Sequence, residues 1–172
     1  DCVFSGNTDR PYDANAIQDA TDDYGWSKQL SEQVLENRPN TLILRVSIIG
    51  TDNSDSPKGL LGWFLSQSKN AKLKGFTNHL WNGITTLEWC KQAEKQMASL
   101  DKNSSCRIIQ IGTKEFYSKY EMLNLFQDVF RTNYEISPFE TPEKIDRRLS
   151  PQIFAKDLKL QLQELKAFSE ND

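Results

Sequence analysis

Tyr24-Gly25-Trp26-Ser27-Lys28, followed by Thr41-Leu42-Ile43-Leu44-Arg45-Val46-Ser47-Ile48-Ile49, decides how this chain is read. Tyr24 and Lys28 are four positions apart. On a helix that spacing stacks both side chains on one face, about one turn apart. An ammonium held near a phenol favours the phenolate, because opposite charge stabilises the ionised form. Tyrosines ordinarily titrate near pH ~10, so without such help they are poor acid-base groups at neutral pH. A Tyr-x-x-x-Lys pair at the mouth of a cleft is thus a proton-transfer device in outline. Spacing alone also fits a solvated helix face, so the motif's context has to carry the reading.

That context is supportive. Cys2-Val3-Phe4 reads as the end of a strand, stopped by Ser5-Gly6-Asn7. A loop rich in Asp, Asn, Gly and Pro leads to Asp22 and Asp23, acids that suit the positive end of a helix. The helix is expected from about Tyr24 to Asn37, with Leu30, Val34 and Leu35 as its apolar stripe and Pro39 as its stop. Thr41–Ile49 has the β-branched, aliphatic character of a central strand covered on both faces. Helix then buried strand suggests half of a parallel α/β unit.

The remainder is less specific. Gly59-Leu60-Leu61-Gly62 follows a polar loop, Thr51 to Lys58, and its apolar residues repeat at helical spacing, so it reads as helix core and not as a phosphate cradle. Ala71–Phe76 suggests a short strand. Phe76–Gly83 suggests a loop whose aromatics and amides, Asn82 among them, can contact a sugar or base, or else pack on the core. Thr85-x-x-Glu88 and Ser118-x-x-Glu121 have capping-box spacing. The first helix should run to about Leu100, lined by Thr86, Cys90, Ala93 and Met97. The second should bury Met122, Leu125, Phe126, Val129 and Phe130. Arg107–Ile111, closed by Gly112, reads as a strand and Ile136–Pro151 as loop-rich. Within that segment Arg147 and Arg148 could clamp a pyrophosphate through forked bonds, or simply be solvated. A last helix, Ala155–Phe168, turns Leu158, Leu162 and Leu165 inward.

The 172 residues carry a net charge of -3, which does not indicate nucleic-acid binding. No apolar run is long enough to cross a bilayer, and no signal peptide is visible. Cys2, Cys90 and Cys106 show neither metal spacing nor a disulfide framework and read as small buried hydrophobes in a reducing cytosol. His79 is the single histidine, which excludes a multi-histidine metal site. The chain opens at Asp1 with what reads as a strand already under way, and is expected to be a fragment whose upstream part is missing.

The order of these pieces resembles the extended short-chain dehydrogenase/reductase superfamily, and within it the sugar-nucleotide reductases. Asp1-Cys-Val-Phe-Ser-Gly6 is similar to the family's strand end, and Pro11-Tyr12 with Tyr24-Gly-x-Ser-Lys28 to its loop and catalytic motif. Leu44-Arg45-Val46-Ser47 is similar to its Leu-Arg-Thr-Ser strand, Glu32 suits its downstream acid, and Arg147–Ser150 resembles a shortened form of its Arg-Pro…Leu-Ser stretch. The resemblance implies an α/β fold: an incomplete Rossmann-type, doubly wound parallel sheet over residues 1–58, then a small sugar-nucleotide-binding lobe over 59–172 with interleaved Rossmann elements. It implies NADP or NAD as cofactor and a nucleotide-sugar as substrate, in surface-polysaccharide synthesis in the cytoplasm, and leaves room for a homodimer. Tyr24 would be proton donor and Lys28 its partner on the nicotinamide ribose, with Arg45 and Ser47 on the cofactor side. Asp1, Cys2, Ile48, Asn82, Arg147 and Arg148 would face substrate. Cys2 stands where the family usually has a substrate-contacting tyrosine, and Ile48 where an aromatic is common. The family's catalytic Ser or Thr and its Gly-rich loop are absent from these residues. An epimerase or dehydratase of the same superfamily and a non-catalytic sugar-nucleotide-binding subunit stay open. Alone, the fragment is expected to be inactive and prone to aggregate, with apolar surface facing water.

Overall fold

The computed structural model describes residues 1–52, 54–101 and 104–170; position 53 of the expected Thr51–Lys58 loop lies outside them. The architecture is mixed α/β with mainly parallel strand pairing. The helix expected at Tyr24 is α1, Asp23–Leu35, and the strand after it is split into β1, Leu42–Arg45, and β2, Ile48–Ile49. There follow α2 (Gly59–Leu65), β3 (Lys72–Phe76), β4 (His79–Trp81) and β5 (Ile84–Thr85). Then come α3 (Thr86–Ala98), β6 (Arg107–Thr113), β7 (Tyr117–Ser118) and α4 (Lys119–Phe130). The chain continues through β8 (Glu135–Phe139), β9 (Ile145–Asp146), β10 (Ile153–Ala155) and α5 (Leu158–Ser169).

Among the described residues four small sheets form, ordered β1-β6-β10, β2-β5, β3-β8 and β7-β4-β9, and only the β4–β7 pair is antiparallel. β6 is the central strand of the first sheet, with Leu44 opposite Ile109 and Phe154 opposite Gly112. Its Ile109 and Ile111 pack with Ile84 in one small core. The largest core lies where α2, α4 and α5 meet β3 and β4. There Leu61, Phe64, Phe126, Leu158 and Leu162 are wholly buried. α4 starts on a complete capping box, Ser118 with Glu121, and α5 on Asp157. Both helices turn an apolar stripe into this core.

Several expectations are corrected. Cys2–Phe4 is a turn, closed by the Phe4 amide on the Asp1 carbonyl at 2.9 Å, and not a strand end. Thr41–Ile49 is no single central strand. The Ser47 carbonyl swings out to accept from the Ile84 amide at 2.9 Å, which redirects the chain from β1 to β2. Gly83 permits that approach, since a Cβ there would overlap the Ser47 carbonyl. Among the described residues β1 pairs only with β6, so it is an edge strand and Leu42, Ile43 and Leu44 are half-buried. Leu30 and Val34 of α1 are 56% and 65% exposed, so no apolar stripe packs there. Phe76–Gly83, expected as loop, holds β4, because its alternating His79 and Trp81 pack inward while Leu80 pairs with Ser118 and Asp146. Ile136–Pro151 likewise contains most of β8 and all of β9. On α3 the inward residues are Glu88, Ala93 and Gln96, while Cys90 and Met97 are exposed. Cys90 is therefore not the buried hydrophobe its residue type suggested.

The core reading is checked at Leu162, in the middle of α5. Leu162→Ala removes a fully buried side chain and is expected to destabilise the fold by about 2–5 kcal/mol in denaturant melts. A change under ~1 kcal/mol would show that α5 is not a core element.

Candidate active site

Asp22 caps α1. Its Oδ1 accepts from the Gly25 amide at 2.6 Å, and Asp23 adds negative charge to the first turn. Gly25 is the one buried residue of the helix. A Cβ there would overlap the Cys2 carbonyl oxygen and crowd the Ala20 methyl, so only glycine lets α1 sit this close to the N-terminal turn. Ser27 is spent locally, its hydroxyl donating to the Tyr24 carbonyl at 2.7 Å. Trp26 ties back to the preceding loop through its indole N–H and the Ala20 carbonyl, at 2.7 Å.

Tyr24 and Lys28 face the same way. The Lys28 ammonium lies 5.2 Å from the centroid of the Tyr24 ring. Tyr24 is 63% exposed, so its phenol is not walled off in hydrocarbon. Both side chains line a cleft of about 610 Å³ whose far wall is β1 and whose floor includes Asp1, Cys2, Ser47 and Ile48. A second cavity, about 340 Å³, shares Asp1, Ser47 and Ile48 with the first and is otherwise lined by Leu60, His79, Trp81, Lys119, Met122 and Arg147, among others. The two cavities thus meet along one wall.

The remaining candidates divide. Asp1, Cys2 and Ile48 lie on the cleft, and Ile48 is half-exposed there. Arg45 lines it too, but its guanidinium is committed. It donates to both Glu32 carboxylate oxygens and to the Ala14 carbonyl, and it stacks over Phe4. The Ser47 hydroxyl accepts from the Trp81 indole. Asn82 is buried and lines neither cavity. Its amide brackets Leu149, donating to that residue's carbonyl at 2.8 Å and accepting from its amide at 2.9 Å. That ties the residue after β4 to the Leu149 segment.

The arginine pair does not act as one clamp. Adjacent residues of an extended segment point to opposite sides. Arg147 enters the second cavity, while Arg148 turns away onto Asp146 at 2.6 Å and over Phe116. Two residues of the second cavity that sequence reasoning missed are Lys119 and His79. Lys119 hid as the residue that follows the capping serine, Ser118. His79 shows in the sequence only as a single histidine, too few for a multi-histidine metal site.

Burial, and then the Lys119 charge, hold His79 below its ordinary value of 6.5. A depressed histidine disfavours the charged form in the fold, so stability present above ~6.5 is lost as pH falls below it through the lower, folded value. Its single imidazole signal in NMR should titrate below that value; a midpoint at or above it would contradict the placement of His79. Gly25→Ala is expected to shift α1 off the N-terminal turn, lower the melting temperature and move the Tyr24 ring signals. Unchanged spectra would show that the close approach is not real.

Among the described residues no three His, Cys, Asp or Glu gather as metal ligands, and no helix is long and apolar enough to cross a membrane. No protein-family model and no curated protein matches the sequence. Solved structures do match. One is dTDP-4-dehydrorhamnose reductase from Bacillus anthracis in complex with NADP, with TM-score 0.77 and 13% identity over 99% of this chain and 63% of that one. A second is a dTDP-4-dehydrorhamnose reductase from Clostridium acetobutylicum, with TM-score 0.73 and 16% identity over 98% and 63%. A third is UDP-N-acetylglucosamine 4-epimerase from Methanobrevibacter ruminantium in complex with UDP-N-acetylmuramic acid, with TM-score 0.73 and 18% identity over 99% and 61%. The chain therefore has the α/β fold these sugar-nucleotide enzymes share, and it spans less than two thirds of their length.

Proposed function

We propose that this chain is the C-terminal part of an NAD(P)-dependent enzyme that reduces a 4-keto nucleotide-sugar. The observation that carries the reading is the Tyr24–Lys28 pair, turned together into an accessible cleft. The shared fold of the dehydrorhamnose reductases, one of them holding NADP, supports it. Residues 1–58 would belong to the dinucleotide domain and 59–172 to the substrate lobe, in a cytoplasmic enzyme of surface-polysaccharide synthesis.

The cleft fits only the nicotinamide end of the cofactor. It offers a phenol and an ammonium to ribose hydroxyls and to a ketone oxygen. The chain's one Gly-x-x-Gly run, Gly59 to Gly62, begins the short helix α2 and provides no strand-turn-helix cradle for phosphates. NAD(P)H supplies the hydride. Tyr24 Oη gives its proton to the carbonyl oxygen, and Lys28 stabilises the phenolate left behind. Asp1, Cys2 and Ile48 shape the sugar's surroundings. Arg45 and Ser47 hold the cofactor-side wall in place through Glu32 and Trp81. Tyr24 is open to solvent here, and a productive site needs water excluded around the developing oxyanion.

Tyr24→Phe in the intact enzyme is expected to cut turnover at least about a hundredfold while leaving the KM for nucleotide-sugar within a few-fold. Unchanged turnover would remove Tyr24 from the chemistry. Tightly held cofactor with no consumption of external hydride would move the assignment to an epimerase or dehydratase, whose fold is the same.

A further inference from the structure

We infer that Arg45 is a positioning residue for the proton transfer: by holding both carboxylate oxygens of Glu32 it keeps that acid from pairing with Lys28, and so leaves the Lys28 ammonium to Tyr24. The inference rests on the proton-donor role proposed above for Tyr24 and adds what decides which partner Lys28 takes.

Tyr24, Lys28 and Glu32 follow one another at intervals of four residues along α1. They lie on successive turns of one stripe, and all three line the same cleft. Lys28 thus stands between two groups that attract it, a phenol one turn before it and a carboxylate one turn after. By charge alone it would take the carboxylate, since opposite charges at this spacing attract and a neutral phenol offers only its ring face. An ammonium drawn to Glu32 no longer favours the phenolate that proton transfer leaves behind. Among the described residues the cleft has one other acid, Asp1, which belongs to the N-terminal turn and not to this stripe.

The observed contacts run the other way. The Lys28 ammonium sits 5.2 Å from the Tyr24 ring centroid, and among the described residues no ion pair includes Lys28. Glu32 is engaged by Arg45 instead. Arg45 Nε donates to Oε1 at 3.0 Å and to Oε2 at 3.1 Å, and Nη2 donates to Oε2 at 2.7 Å. The Gln18 amide donates to Oε2 as well. The arginine and glutamate side chains are 6% and 13% exposed, so little water screens their attraction. Nη1 on the Ala14 carbonyl, at 2.8 Å, and the Phe4 ring beneath the guanidinium fix the direction of the fork. Glu32 therefore has its charge balanced and both oxygens taken, and Lys28 is left with the phenol.

The test compares Arg45→Gln, Glu32→Gln and the double substitution in the intact enzyme. Each single change breaks the same ion pair and should lower the melting temperature. Arg45→Gln frees the carboxylate and should cut kcat about tenfold or more, with the KM for nucleotide-sugar held within about twofold. Glu32→Gln should cut kcat several-fold less, and adding it to Arg45→Gln should bring kcat back to that smaller loss. NMR reads the contact itself. The nuclear Overhauser effect between the Lys28 side chain and the Tyr24 ring should vanish in Arg45→Gln and return in the double substitution. The Trp26 indole N–H, bonded to the Ala20 carbonyl, should keep its shift throughout. A merely structural clamp would move the Trp26 signal together with the Lys28 contact. Equal kcat losses in the two single variants, no recovery in the double, or a Lys28–Tyr24 contact that survives in Arg45→Gln overturns the inference. Should Arg45→Gln fail to fold, Arg45→Lys, whose point charge cannot fork onto both oxygens, decides by the same comparison. The expected contact changes, without keto-sugar reduction by the unsubstituted enzyme, would sink the reductase reading and leave this sorting of charges standing. Reduction with the same kcat in Arg45→Gln and Glu32→Gln would do the reverse.

Discussion

The buried contact between Arg45 and Glu32 holds the site together. α1 has almost no hydrophobic attachment: Gly25 is its one buried residue, and Leu30 and Val34 stand in solvent. A helix without an apolar face needs another anchor. Arg45, 6% exposed at the end of β1, donates to both oxygens of Glu32 and to the Ala14 carbonyl, and lies over Phe4. Gln18 adds a further bond to the same carboxylate. One guanidinium thus joins the N-terminal turn, the connecting loop, the helix and the strand. Removing one partner of such a pair typically costs about 3–5 kcal/mol, because the other is left charged and buried. Tyr24 and Lys28 owe their aim to this clamp and to the glycine contact beside it.

The clamp also explains the division of labour along β1 and its extension. Arg45 cannot hold a ligand and hold α1 at once. Ser47, whose hydroxyl takes the Trp81 indole and whose carbonyl takes the Ile84 amide, fixes the break between β1 and β2. That break turns Ile48 outward, into the wall between the two cavities. The two cavities on either side of that wall follow from a single bend in the chain.

Much of this was legible in the sequence, for identifiable reasons. The Tyr24 helix, α4 with its capping box and α5 with Leu158, Leu162 and Leu165 are local patterns, and local patterns survive in a single sequence. The parallel α/β character followed from helix and strand order. What was not legible depended on partners far along the chain. β4 is a strand because β7 and β9 flank it, although its own residues read as loop. Cys2–Phe4 has strand composition but turns on itself. Arg147 and Arg148 look like one clamp until the extended backbone sends them apart. Asn82 looked like a ligand donor because its role, bracketing Leu149, joins residues 67 positions apart. Lys119 carried no signal of its own, since a lysine after a capping serine is usually just solvated.

The account stands on a ketone being reduced beside Tyr24, and label transfer tests that most directly. The intact enzyme would be given NADPH deuterated at the transferable position of its nicotinamide, together with a 4-keto nucleotide-sugar, and the product read by NMR. The account predicts deuterium on the former carbonyl carbon of the sugar, one per cofactor oxidised. A sugar product with no deuterium at that carbon would contradict it.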